Sequence, residues 1–338
     1  MSVSSDANRK GVVAVTGAAG HIGANLVRGL LAQGRPVRAL VHERTAGVDG
    51  LPVETVRCDI TDAQACRRAL EGAQTVYHLA ACISVGWDSA PKVQSVNVDG
   101  TRNLVEACLA NRVQRLVHFS SIHAFAADPS DGLIDEQRPL TENQPGNLIY
   151  DRTKAEGERV VAEAVARGLD AVVVNPCAAL GPHDYQPSPM GQVLLDLHRG
   201  RFLALVGGAG FNWVDVRDVV QSALLAESRG RMGQHYLLSG HWLSLVGLAQ
   251  LWGKVSGAKI PRWVVPMGLA RAAAPFAVGW ARLMRRRPLF TSDSLRVLRN
   301  HRKISNAQAS SELGHNPRPL EETLRDTYAW FKQAGKLP

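Results

Sequence analysis

The chain has few of the features that mark a specialised protein. Its five cysteines, Cys58, Cys66, Cys82, Cys108 and Cys177, form no CxxC pair and no metal-ligand spacing, so neither a disulfide framework nor a metal site is expected. Their odd number fits reduced thiols and a cytoplasmic setting. Residues 1–10 are polar and lack the apolar core of a secretion signal. No internal repeat or low-complexity tract is visible. The net charge is +9, but lysine and arginine are scattered, and the one dense run, Arg282 with Arg285-Arg286-Arg287, has no interleaved aromatics. That speaks against nucleic acid and for a solvated basic face that also attracts anionic ligands. The 338 residues, 45% hydrophobic and 20% charged, are those of an ordinary globular chain with a sizeable core.

The first half alternates two periodicities. Residues 11–16 form a short β-branched run, read as a buried parallel strand. Gly17-Ala18-Ala19-Gly20-His21-Ile22-Gly23 follows at once and opens a helical pattern to about residue 33. In this TGxxGxxG, Gly17 suits a tight turn, Gly20 lets backbone amides approach a pyrophosphate, and Gly23 lets helix and strand pack closely. The next strand, 37–41, ends in Val41 and His42, then Glu43 and Arg44. It carries no acid at its tip to hold a ribose 2′-hydroxyl, and Arg38, His42 and Arg44 are near. NADP is therefore the expected cofactor, with NAD the alternative. Further strands are predicted at 53–58, 75–79, 115–119 and 170–175, with helices at 91–111 and 150–167. Repeated βα units imply an α/β fold with a doubly wound parallel sheet of Rossmann type. Ligands bind beyond the carboxyl ends of such strands, where Leu79-Ala80-Ala81 and Ser120-Ser121 fall.

Tyr150 and Lys154 lie one turn apart on a predicted helix, hence on one face. The lysine charge is expected to lower the phenol pKa and fit it for proton transfer to a substrate oxygen. A solvated lysine beside a partly buried tyrosine is the bland alternative for any isolated YxxxK.

Together these stretches resemble the extended short-chain dehydrogenase/reductases, the NAD-dependent epimerase/dehydratase superfamily. The likeness rests on residues 16–23, Cys58-Asp59-Ile60, His78-Leu79-Ala80-Ala81, Asn97-Val98-Asp99-Gly100-Thr101, Phe119-Ser120-Ser121 and Tyr150-Asp151-Arg152-Thr153-Lys154, in the family's order. Val174-Asn175-Pro176-Cys177-Ala178-Ala179-Leu180-Gly181-Pro182 and Phe211-Asn212-Trp213-Val214-Asp215-Val216-Arg217-Asp218-Val219 are similar to two later hallmarks. The nearest group is the dihydroflavonol 4-reductase-like one, with hopanoid-associated sugar epimerases and, more distantly, 3β-hydroxysteroid dehydrogenases. Stretches 305–308 and 313–319 also look like that group.

The resemblance implies that Tyr150 is the acid/base, Lys154 its activator and ribose ligand, and Ser121, in preference to Ser120, the partner of the reacting oxygen. It implies cofactor contacts at Gly17, Ala19, Gly20, His21, Ile22, Gly23, His42, Arg44, Asp59, Ile60, Leu79, Ala80, Ala81, Asn97, Lys154 and Pro176, with no metal. Asn97 also reads as a buried brace. His123 and Phe125 read as substrate-pocket wall or as core. Hydride transfer between nicotinamide and a ketone, aldehyde or secondary alcohol is the implied chemistry. A sugar epimerase or dehydratase with tightly held NAD, and a non-catalytic NADP sensor, are the alternatives. A homodimer through first-half helices is implied as well.

Residues 1–176 are read as the NAD(P)-binding domain, with 211–230 returning to it, and 177–338 as mainly a smaller α+β substrate domain. Helices are predicted near 190–199, 216–228, 245–256, 266–284 and 320–333, with a strand at 234–238. Leu269, Ala273, Phe276, Trp280 and Leu283 stripe the 266–284 helix, with Arg271, Arg282 and Arg285 on its other side. It either closes the substrate domain or makes a peripheral contact with acidic lipid through Trp280 and the Arg285–Arg287 run.

Overall fold

The computed structural model describes residues 11–83, 89–129, 132–144, 146–270, 272 and 303–338. Most of the 266–284 helix and the basic run after it lie outside the described residues.

Seven strands, all parallel, form the main sheet: β1 (Val12–Thr16), β2 (Val37–Val41), β3 (Glu54–Arg57), β4 (Ala73–His78), β5 (Arg115–Phe119), β6 (Ala171–Pro176) and β10 (His235–Leu238). Their spatial order is β10-β6-β5-β4-β1-β2-β3. The order reverses between β1 and β4, the switch point beyond whose carboxyl ends sheets of this kind form their ligand crevice. Both faces are covered, which is why the strands read as near-continuous apolar runs. On one face α1 (His21–Ala32) and α7 (Val216–Arg229) bury Leu26, Leu30, Val219 and Ala223 against Val13, Val15, Val117 and Val172. On the other, α2 (Ala63–Ala69), α4 (Gly100–Ala110) and α5 (Ile149–Ala166) cover Ala14, Val76, Leu116 and Val173.

The helix expected over 91–111 is divided. It begins as α3 (Ala90–Gln94), passes through one wide turn (Ser95–Asp99), and resumes as α4. The wide turn swings the Asn97 side chain onto Cys82, and Gly100 follows where a methyl group would stand 2.7 Å from Ile60. Helix α2 had no apolar periodicity to announce it; Asp62 caps it by accepting the Gln64 and Ala65 amides.

The later half is organised around a third apolar cluster containing Trp213, Trp252, Trp330 and Phe331. It joins β7 (Ala178–Leu180), β9 (Gly210–Asp215) and β11 (His241–Ser244), a sheet of order β11-β9-β7, to α6 (Pro189–His198), α8 (Leu245–Ser256) and α9 (Leu320–Gln333). β8 (Leu205–Val206) pairs with β12 (Val264–Val265). Chain re-enters the main body through α7 and also, beyond residue 230, through β10. The 305–318 tail pins that return: Asn306 donates to Ser239 O, His315 bonds Ser222 and Ser239 O, and Arg318 grips Asp218 at 2.7 Å. Among the described residues no helix is long and apolar enough to cross a membrane.

Candidate active site

The crevice begins at the glycine turn. Gly17 takes φ +65°, and a methyl group there would stand 2.9 Å from Ala80 N. At Gly23 it would lie 2.2 Å from Gly17 O, so only glycine lets α1 sit this close to β1. Gly20, by contrast, is exposed and starts α1 with no side chain capping the first amides. Those free donors at the helix's positive end fit a pyrophosphate. Ala19 packs against Gly47, and Ile22 against the core. The His21 ring is turned away to Pro182 O at 3.2 Å, which leaves its backbone amide for a ligand. Thr16 accepts the Leu79 and Ala80 amides and bonds His78 Nδ1 at 2.8 Å, so the β1 and β4 ends are tied where Leu79, Ala80 and Ala81 line the crevice.

The tip of β2 differs from its expectation in part. Arg38 is committed elsewhere, to Glu54 at 2.7 Å and to the carbonyls of Ala69 and Glu71, because it lies near the start of the strand. His42 and Arg44 are exposed at the tip, and Arg44 donates to Gln186 at 2.5 Å. Arg57, which stands opposite Val41 in the β2–β3 register, donates to His42 O at 3.2 Å. It had no sequence signal until the register was known. Asp59 accepts the Thr61 amide and hydroxyl and lies 3.6 Å from His42 Nε2. The Ile60 side chain is buried in the core against Gly100, and its carbonyl accepts from Cys66 and Asn103.

Ser121 stands just beyond β5, and Tyr150 and Lys154 lie one turn apart on α5 beside it. The Ser121 hydroxyl accepts the His123 amide at 3.3 Å and stands close enough to the Tyr150 phenol to favour its ionised form. Lys154 is buried and donates to Phe119 O at 3.1 Å. The expected lowering of the phenol pKa is not what the surroundings produce. Burial pushes Tyr150 above the ordinary phenol range, and the nearby Ser121 hydroxyl offsets only part of the rise. Burial also pulls Lys154 down to about 8, with Glu158 working the other way.

Asn97 is a brace: its oxygen accepts Cys82 N, and its amide donates to Cys82 O and Thr153, so both ends are used within the protein. His123 belongs to the site wall, 3.2 Å from Asp151 and edge-on to the Tyr150 ring at 5.5 Å. Phe125 belongs to the core, with Ile134 and Leu237. The Ser120 hydroxyl is buried without a partner among the described residues, and Pro176 closes the β6 end. Glu158, Asn175 and His235 lie just behind the trio; the signal for Glu158 was its spacing of four from Lys154, the same as that of Lys154 from Tyr150.

The site thus sets a buried phenol, a buried lysine and the Ser121 hydroxyl beyond β5, beside the glycine turn that opens α1. The protein is an NAD(P)-dependent oxidoreductase of the extended short-chain dehydrogenase/reductase type. Residues 13–239 match the NAD dependent epimerase/dehydratase family, and the chain belongs to it. It is 38% identical to sterol demethylase protein B of Methylococcus capsulatus, over 96% of this chain and 99% of that one. It is 30% identical to the 4-hydroxy-2-methyl-3-oxo-4-farnesyl-3,4-dihydroquinoline-1-oxide ketoreductase of Stigmatella aurantiaca, over 95% and 96%. Among solved structures, gox2253 superposes with a TM-score of 0.83 at 30% identity, covering 97% of this chain and 99% of that one.

Proposed function

We propose that the protein interconverts a ketone and a secondary alcohol on a bulky apolar substrate, using NADP(H). The placement of Ser121 beyond β5, with Tyr150 and the buried Lys154 one turn apart on α5, supports this reading. Bound nicotinamide would supply or accept the hydride. Tyr150 gives its proton to the carbonyl oxygen in reduction and takes one in oxidation. Ser121 donates a hydrogen bond to the same oxygen, where charge develops. Lys154 anchors the ribose and keeps positive charge near the phenol. The substrate class is supported by two relatives, one a sterol demethylase protein and one a ketoreductase of a farnesylated ring. A homodimer through first-half helices remains part of this reading. The test is oxidation of NADPH and NADH by purified protein with sterol-like and prenylated ketones, beside nucleotide sugars. Turnover of nucleotide sugars alone, or NAD surviving purification, would favour the epimerase instead.

NADP preference rests on the cationic tip of β2. Arg44→Ala and Arg57→Ala are each expected to weaken NADPH binding about 10-fold, the worth of one charge-assisted hydrogen bond, and to leave NADH nearly unchanged. Equal losses for both dinucleotides in a fluorescence titration would remove the phosphate role.

A peripheral membrane contact also belongs to the proposal. Leu203 is 91% and Trp263 78% exposed, with Val264 and Leu269 also open, Arg262 next to Trp263 and Arg201 two residues before Leu203. Cosedimentation with phosphatidylserine vesicles is expected, and Trp263→Ser should reduce it. Protein that stays in the supernatant with and without vesicles rules the contact out.

A further inference from the structure

One rung of the main sheet carries an unusual row. Thr16, His78, His118, Val173 and His235 are register partners across β1, β4, β5, β6 and β10, so their side chains share the face that α5 covers. His78 is neutral within its chain of bonds from Thr16 to Thr101, and burial holds its pKa near 3. At the far end of the row, the side chain of Glu158 reaches in from α5 and is 0% exposed. An isolated carboxylate in that position would be strongly unfavourable. Its surroundings supply two contacts: Asn175 Nδ2 donates to Oε1 at 2.6 Å, and His235 Nδ1 lies 3.1 Å from Oε2.

These contacts lead to the catalytic groups. Asn175 uses the same amide nitrogen to donate to Ser121 O at 3.1 Å. Lys154, one turn before Glu158 on α5, donates to Phe119 O. The end of β5 that presents Ser121 is therefore gripped at two carbonyls, 119 and 121. One grip is Lys154 itself and the other is Asn175, which Glu158 holds. The basic groups beside the Glu158 carboxylate are Lys154 and His235, and its field raises the pKa of both against the effect of burial. His235 also faces Glu136 and His118, and its side chain is 26% exposed at the sheet's edge.

We propose that Glu158 is a positioning residue of this site: its buried carboxylate is the counter-charge of the Lys154 ammonium and, through Asn175, fixes the strand end that carries Ser121, with His235 closing the set at the edge of the sheet. This rests on the proposed roles of Ser121 and Lys154, but its first test needs neither substrate nor cofactor.

The test is Glu158→Gln, which keeps shape and an acceptor for Asn175 while removing the charge. Trace acetylation of the apo-protein across a pH series, read at the Lys154 peptide, reports the lysine's own titration. Its midpoint is expected to fall by about one pH unit in the variant, as expected when a nearby opposite charge is lost. An unchanged midpoint in a variant that folds like the wild type overturns the counter-charge role, whether or not the protein proves to be a reductase. The second arm is Asn175→Ser, which leaves Glu158 in place. Cofactor affinity should hold while kcat falls about 10-fold, because a small misplacement of a reacting group is expensive. Unchanged kcat there overturns the grip on Ser121. Should Glu158→Gln fail to fold, Glu158→Asp, with the charge withdrawn by one methylene, is read by the same acetylation midpoint and decides the counter-charge role in the same way. Failure of the reductase reading appears separately, as a wild-type protein that binds no NADPH.

Discussion

Tyr150→Phe is expected to lower kcat by about 10³-fold while cofactor affinity changes little, since one proton-transfer hydroxyl is lost and a ring of the same shape stays in place. The surroundings make this loss severe. Burial holds the phenol protonated well past neutrality, which suits Tyr150 to the proposed role of proton donor in reduction. The adjacent groups cannot replace it. Ser121 is a weaker acid, and His123 is turned to Asp151 at 3.2 Å. The same burial gives the direction of the pH dependence. Reduction needs the protonated phenol and should not fall until the alkaline range. Oxidation needs a proton acceptor and should rise with pH. Single-turnover kinetics in both directions, with NADPH binding measured alongside, would check this. A Tyr150→Phe enzyme within a few-fold of wild type would move the acid/base role to another group.

Much of this was legible in the chain because backbone requirements leave plain marks. The β-branched run before Gly17, the three glycines and the Tyr150–Lys154 spacing each follow from one steric or periodic rule, and β2, β5, α8 and α9 begin and end where patterning placed them. What was not legible depends on distant chain. Arg38 and Arg57 are both arginines near a strand end. Only the β2–β3 register shows that Arg38 serves Glu54 while Arg57 reaches His42 at the tip of β2. For Asn97 the resemblance implies a cofactor contact and its own chemistry a brace, and only the wide turn shows its side chain held on Cys82. The direction of the Tyr150 shift escapes the sequence for a similar reason. Four-residue spacing places a charge nearby, but says nothing of how much water the fold removes from the phenol. Small strands such as β7, β8 and β12 were missed because two or three residues carry no period.

Lys154→Met should bring the second large change, in affinity for the dinucleotide. Wild-type Lys154 is pulled down to about 8 by burial, so its ammonium fades through the mildly alkaline range. NADPH affinity is therefore expected to fall as pH rises from about 7 to about 9. In Lys154→Met the affinity should already be low at about pH 7, by about 100-fold for a lost charged contact in a dry site, and flat across that range. Stability offers an independent measure with the sign determined by linkage. A lysine whose folded pKa lies below its ordinary 10.5 binds fewer protons folded than unfolded between the two values. The folded state then gains stability as pH climbs from about 8 towards 10.5, by a few kcal/mol for a shift of this size. The thioether in Lys154→Met cannot titrate, so that gain should be absent from the variant's denaturation curves. A wild-type protein whose NADPH affinity and unfolding midpoint track those of Lys154→Met at every pH would show that no buried ammonium stands at the site. The ribose and the phenol would then have to be held by something else.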